Sequence, residues 1–206
     1  MGKTTRIVLA GEGGQGVQSI AEIIAEAADE AGKQALYIPN FGVEQRGGVS
    51  VAYVQISEGN IGSPKFNTGD IVVALSDRAV RRTVKYAGPR TTFVYDSGIE
   101  GIEEELPKNA GRLLPIPAIE VARHDFHPRV FNIIILGAVV GATGVIPLEQ
   151  VKEAIENKLG YKFEKQPELR ELNFRAIERG MELVGVKKFQ APAIFREVAP
   201  ACEITY

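Results

Sequence analysis

Residues 7–10, Ile-Val-Leu-Ala, form an unbroken apolar run, whereas from Val17 the apolar positions recur at helical spacing through Ala31 and stop at Gly32. The first pattern predicts a buried strand over residues 5–10. The second predicts a helix over 17–32 that closes on its glycine. Residues 34–39 read as a second strand, completing a βαβ unit. After a loop from Asn40 to Gly48, residues 49–56 alternate with a period of two, as expected of a strand with unequal faces. Residues 70–75 predict another buried strand, 77–86 a basic helix, and 91–95 and 113–116 two short strands. This alternation predicts an α/β fold: an open, mostly parallel Rossmann-like sheet flanked by helices.

The second half of the chain is helical in pattern. Residues 131–142 are apolar nearly all round and contain Gly137 and Gly141, which suits a helix packed closely against other protein surface. Pro147 opens an amphipathic helix over 148–159, and 168–184 carries Leu169, Leu172, Ala176, Ile177 and Leu183 near helical spacing. Past Lys187 the periodicity fades. The tail 187–206 holds Pro192 and Pro200 with the apolar Phe189, Ile194, Phe195 and Val198, and is expected to lie against a partner chain. One domain, 1–186, with a C-terminal extension, 187–206, is the expected organisation. Because the helix at 131–142 and the tail suggest surface that is normally covered, the isolated chain is expected to self-associate, as a homodimer.

Composition narrows the function classes. The 206 residues are 45% hydrophobic and 24% charged, within the range of ordinary globular domains. The net charge of −2, with 24 scattered basic residues, lacks the electrostatic footprint of a nucleic-acid binder. No apolar run reaches the roughly 18 to 20 residues of a membrane span, and the N-terminus leads into a strand rather than a secretion signal, so a cytoplasmic location is expected. Cys202 is the single cysteine, too few thiolates to anchor an iron–sulfur cluster. His124 and His127, the two histidines, flank Asp125, but a metal site needs a third ligand and a His-Pro step is accounted for by turn chemistry. No metal site is expected.

The chemistry concentrates at Gly11-Glu12-Gly13-Gly14-Gln15-Gly16, which lies between the first strand and the first helix. Glycine lets the backbone turn sharply and approach a ligand, and the free N–H groups and dipole of the following helix attract an anion. Gly11, Gly13 and Gly16 also fit the dinucleotide spacing. A nicotinamide site, however, wants an acid near the end of the second strand to hold the ribose, and the first acid after Asn40 is Glu44, well into the loop. What remains is a phosphate-suited turn followed by Arg46-Gly47-Gly48. A guanidinium grips phosphate with two parallel hydrogen bonds; equally, Gly47-Gly48 could only make a turn and Arg46 be a solvated charge. Asp96-Ser97-Gly98 after the fifth predicted strand could sit at the ligand edge of the sheet, although these residues favour turns for backbone reasons alone. No nucleophile, paired carboxylate or other catalytic set stands out.

Gly11 to Val17, the Arg46-Gly47-Gly48 loop, the Ser63-Pro64 step, Asp70-Ile71-Val72-Val73-Ala74-Leu75, and Asn132 followed by Leu136-Gly137-Ala138, taken in order, resemble the gamma subunit of 2-oxoacid:ferredoxin oxidoreductases, the pyruvate, ketoisovalerate and 2-oxoglutarate enzymes. The likeness spans roughly residues 5 to 185 and leaves the tail outside. It implies an enzyme complex that decarboxylates a 2-oxoacid to an acyl-coenzyme A, with thiamine diphosphate and iron–sulfur clusters on partner alpha, beta and delta subunits and ferredoxin as acceptor. It implies that this chain has no activity alone and helps form the coenzyme A site. The cofactor-binding residues expected on this basis are Gly11, Gly13, Gly14, Gln15, Gly16, Arg46, Gly47 and Gly48. Pyruvate and 2-oxoglutarate lead the substrate classes, with branched-chain oxoacids and indolepyruvate open. A stand-alone dinucleotide-binding reductase and a purely structural subunit are the alternatives.

Overall fold

The computed structural model describes residues 4–40 and 48–185. The described residues form six strands and six α-helices, in the order β1 (Thr4–Gly11), α1 (Val17–Glu30), β2 (Gln34–Asn40), β3 (Ser50–Ser57), β4 (Ile71–Ala74), α2 (Asp77–Thr83), β5 (Thr92–Asp96), β6 (Arg112–Ile116), α3 (Ala118–Asp125), α4 (Phe131–Thr143), α5 (Leu148–Phe163) and α6 (Glu168–Leu183). Single 3₁₀ turns, Val84–Tyr86 and Pro128–Val130, extend α2 and precede α4.

The strands make one sheet in the order β2-β3-β1-β4-β5-β6. β1, β4, β5 and β6 pair in parallel, whereas β3 is antiparallel to both β1 and β2. The expected open, mostly parallel α/β architecture is therefore present, with one departure. β1, α1 and β2 run as a βαβ unit in direction, but β3 is inserted between its two strands. That insertion leaves β2 at the edge, where Pro39, which has no N–H to give to a ladder, is tolerated.

β1 explains why its run is apolar without alternation. Ile7, Val8, Leu9 and Ala10 are all fully buried; Ile7 and Leu9 join the larger core with residues of α1, α3, α4, α5 and α6, while Val8 and Ala10 join the smaller core with α2, Phe93 and Ile102. A central strand covered on both faces reads as a continuous hydrophobic run. Helix α4, apolar all round, is buried inside this chain's own fold, with Ile133 to Ala138 almost entirely shielded from solvent. The self-association argument built on this helix therefore loses that support, because α3 and α6 cover it here. The other apolar positions it invoked, in the tail, lie outside the described residues. Among the described residues only Leu113 and Tyr161 are large hydrophobics left exposed.

The sequence pattern missed α3. Its buried positions, Ala118, Val121 and Ala122, keep helical spacing, but over only eight residues, and its start is fixed from a distance: the buried Asp96 at the end of β5 accepts hydrogen bonds from Gly98 N (2.8 Å) through Oδ1 and from Ile119 N (2.9 Å) through Oδ2. Asp96-Ser97-Gly98 is thus a turn whose carboxylate also caps a helix N-terminus.

Candidate functional site

The glycine turn leaves the carboxyl end of β1, the edge at which ligands bind in sheets of this kind. Gly14 and Gly16 have φ of 89° and 73°, the left-handed region that glycine enters without cost, and Gly16 is the N-cap of α1. The four turn glycines divide into two kinds. A Cβ on Gly11 would stand 2.7 Å from Gln15 Oε1 and 2.8 Å from Val17 Cγ2, and one on Gly16 would stand 2.7 Å from Asn132 Nδ2. These two are glycine because other protein atoms occupy the space. Around Gly13 and Gly14 a Cβ would meet no atom of the described residues within 4 Å. This open side of the turn is the part that a ligand can approach.

Gln15 holds the turn together. Its Oε1 accepts from Glu12 N at 2.7 Å and its Nε2 donates to Leu75 O at 2.7 Å, so the side-chain amide ties the turn to itself and to the end of β4. Among the expected binding residues, Gln15 is therefore committed to holding the shape of the turn from behind. The peptide amides at the start of α1 are the groups left to face an anion, and the helix dipole adds to their pull.

Register brings the second glycine segment to the same place. Gly11 is paired with Ser50, the first residue of β3, so Gly48 lies two residues from the glycine turn's own ladder partner. Gln18 of α1 fixes this exit: its Nε2 donates to Ser50 Oγ (2.6 Å) and Val51 O (3.1 Å), and its Oε1 accepts from Tyr37 OH (2.6 Å). The Tyr37 phenol is pushed up from its ordinary pKa by burial and then by nearby Glu22. Arg46 and Gly47 lie outside the described residues.

Two residues at the turn were missed as site members. Asn132, noted only as part of the motif set, brings its amide onto Gly16 from the first turn of α4. Gln18 carried no signal beyond being polar at the start of an otherwise apolar helix face. At the other candidate cluster, His127 Nδ1 accepts from Arg129 N (3.1 Å) and caps the 3₁₀ turn, while Asp125 pairs with Arg179 at 3.6 Å. Among the described residues no group of three His, Cys, Asp or Glu side chains is placed to hold a metal ion, and no helix is long and apolar enough to cross a membrane.

The strand order also bears on dinucleotides. The ribose-binding acid of such sites sits on the strand next to β1; here that neighbour is β3, and the end of β2 is two strand spacings away, roughly 10 Å.

Comparison with known proteins follows the same outline. The family model for pyruvate ferredoxin/flavodoxin oxidoreductase matches residues 6–183. The ketoisovalerate oxidoreductase subunit VorA of Methanothermobacter thermautotrophicus is 32% identical over 177 residues, 86% of this chain and 36% of that protein; the chain thus spans about a third of that relative. A keto/oxoacid ferredoxin oxidoreductase gamma subunit from Geobacter sulfurreducens superposes with a TM-score of 0.72 at 30% identity, covering 87% of this chain and 98% of its own. A 2-oxoglutarate:ferredoxin oxidoreductase from Magnetococcus marinus, solved with 2-oxoglutarate, coenzyme A and succinyl-CoA bound, superposes with a TM-score of 0.80 at 29% identity, covering 88% of this chain and 31% of that one.

Proposed function

The chain belongs to the pyruvate ferredoxin/flavodoxin oxidoreductase family, and from that premise we propose that it is the gamma subunit of a cytoplasmic multisubunit 2-oxoacid:ferredoxin oxidoreductase that helps bind coenzyme A. The carrying observation is the family match across 6–183 together with the open side of the glycine turn at Gly13 and Gly14. The relative from Magnetococcus marinus has coenzyme A bound, and a pyrophosphate suits amides that converge at a helix start.

In this reading the residues divide the work. Gly13 and Gly14 let phosphate oxygens approach the backbone, Gly11 and Gly16 allow the close packing that sets the turn, and Gln15 keeps its shape. Arg46, with Gly47 and Gly48, comes from the adjoining β2–β3 connection and supplies a charge-assisted contact. Thiamine diphosphate, which supplies the decarboxylation chemistry, and the iron–sulfur clusters belong to alpha, beta and delta partners; the single cysteine of this chain accords with that division. Domain 1–186 carries this function and the extension 187–206 contacts partners.

The assay is direct. The purified chain is given a 2-oxoacid, coenzyme A and a viologen dye, alone and with co-purified partners. Dye reduction only in the complex is expected; turnover by the chain alone overturns the reading. An activity panel of pyruvate, 2-oxoglutarate, branched-chain oxoacids and indolepyruvate then identifies the substrate.

The purely structural alternative draws on Gly11 and Gly16, whose smallness packing alone explains. Gly13 has no such explanation. A stand-alone reductase is disfavoured by the inserted β3; micromolar binding of NAD, NADP or FAD by the isolated chain would revive it.

A further inference from the structure

On the face of the sheet opposite α1, a cavity of about 800 Å³ opens beside the carboxyl end of β2. Its wall is aromatic: Tyr53 of β3 stands edge-to-face with Phe66 (centroids 5.9 Å apart) and with Tyr86 (5.7 Å), and the two phenol oxygens are hydrogen-bonded at 2.7 Å. Lys65 and Lys85 are its two charged lining residues, Lys85 Nζ lying 5.1 Å from the Tyr86 ring centroid, and Asn40 adds an amide at the rim. The three rings are half-buried: they pack on the smaller core from one side and line the recess on the other.

We propose that this recess binds a phosphorylated adenine nucleoside, the base packing against the Tyr53, Phe66 and Tyr86 wall and the phosphate held by Lys65 and Lys85. Four features select a flat heterocycle bearing phosphate, the class that adenine nucleotides probe. The volume is in the range of nucleotide-sized ligand sites. Ring surface favours a planar base over an aliphatic chain. The amide of Asn40 gives one N–H to the Tyr53 phenol and keeps its second N–H and its oxygen for the edge of a heterocycle. Two ammonium groups, with no carboxylate among the described lining residues, favour an anion over a neutral or cationic ring. The Tyr53 phenol is held neutral far above physiological pH, chiefly by burial and then by its bond to Tyr86, so the wall itself adds no negative charge.

Two ligands carry this chemistry: a free adenine nucleotide and the phosphoadenosine end of coenzyme A. The second would place the base on the face opposite the glycine turn, and rests on the function proposed above. The first does not.

The test uses the full chain. It contains six tyrosines and no tryptophan, so its intrinsic emission reports on tyrosines, two of which line the recess. ADP and coenzyme A are each titrated by emission and calorimetry, with adenosine as the phosphate-free control and phosphopantetheine as the base-free control. Saturable quenching by ADP or coenzyme A is expected, weakened about tenfold or more in Lys85→Ala and in Phe66→Ala, with Lys85→Arg restoring most of it. Lys85 is exposed on a 3₁₀ turn, so its loss leaves the fold intact should Phe66→Ala melt early. Tighter binding of coenzyme A than of ADP assigns the recess to coenzyme A; equal or tighter ADP assigns it to a free nucleotide. No adenine-dependent signal, or wild-type affinity in both variants, overturns the inference. If the assembled complex keeps its coenzyme A KM in Lys85→Ala while Gly13→Ala raises it, and ADP does not bind, the recess proposal falls and the gamma-subunit reading stands.

Discussion

Gly137 of α4 and Gly180 of α6 meet where the two helices cross: a Cβ on Gly137 would lie 2.0 Å from Ile177 O and 3.1 Å from Gly180 Cα, and a Cβ on Gly180 would lie 2.0 Å from Ile134 O. Each glycine is the space into which the other helix's backbone fits. Gly137→Ala or Gly180→Ala should force the helices apart and cost about 3 kcal/mol, the upper end of typical overpacking penalties, because the obstructing atoms are backbone. Urea unfolding monitored by circular dichroism reads this loss.

The turn glycines should respond differently from one another. Gly13→Ala enters open space, so stability should change by no more than about 0.5 kcal/mol, while the coenzyme A KM of the assembled complex rises. Gly16→Ala must adopt a left-handed conformation costing roughly 1–2 kcal/mol and also displace the Asn132 amide. Paired thermal melts and coenzyme A titrations separate the two. Wild-type coenzyme A dependence in Gly13→Ala would leave the turn a structural feature.

Gln15→Ala removes both hydrogen bonds that fasten the turn to Glu12 and Leu75. Stability should fall by about 1–2 kcal/mol. Because the turn would lose its shape as well, coenzyme A affinity should weaken with no contact to the ligand having been deleted. Double-mutant comparison with Gly13→Ala detects the coupling as non-additive KM effects.

Arg46→Ala should remove a charge-assisted contact worth about 1.5–3 kcal/mol, raising the coenzyme A KM roughly ten- to a hundredfold. Decarboxylation should survive, since coenzyme A enters only to collect the acyl group. Measuring carbon dioxide release separately from acyl-coenzyme A formation tests this; an unchanged coenzyme A dependence refutes the role.

Tyr53 has its phenol pushed up to about 12, by burial first and by the Tyr86 hydrogen bond second. The folded state therefore favours the neutral phenol. This contribution is complete below pH 10, where the unfolded phenol begins to ionise, and declines as pH climbs from 10 toward 12. Tyr53→Phe should flatten that decline relative to the wild type when unfolding is followed between pH 9 and 11.5. Absorbance titration of tyrosinate should show a Tyr53 component, absent in Tyr53→Phe, ionising above the ordinary phenol range.

The parts of the fold that local pattern controls were legible. β1 and α4 announced themselves because burial on every side demands apolar residues throughout, and Gly11, Gly14 and Gly16 because only glycine fits where Gln15, Val17 and Asn132 crowd or φ turns positive. The place of β3 was not legible: its alternation identifies a strand but holds no information about which neighbours it will take. α3 escaped for a related reason, since the carboxylate that starts it, Asp96, is on another element. Within the site, the glycines could be found as a group, but their division into packing and open positions depends on Asn132, Val17 and Gln15 in three dimensions. The aromatic recess gathers Tyr53, Phe66 and Tyr86 from separate segments, and no spacing along the chain connects them.

The inserted strand also sets an order of assembly. β2 and β3 form a hairpin whose nearest rungs are close in sequence, with Asn40 paired to Val51, whereas β1 must join Ile7 to Val54 on one side and to Ile71 on the other. Short-loop contacts form before long-loop ones because closure entropy grows with chain length. The hairpin can thus form first and offer a template edge, and the central strand that carries the glycine turn is threaded into place only when β4 arrives. Val54→Ala should slow refolding in stopped-flow measurements if this order holds, and the ligand cradle would then be among the last features of the molecule to mature.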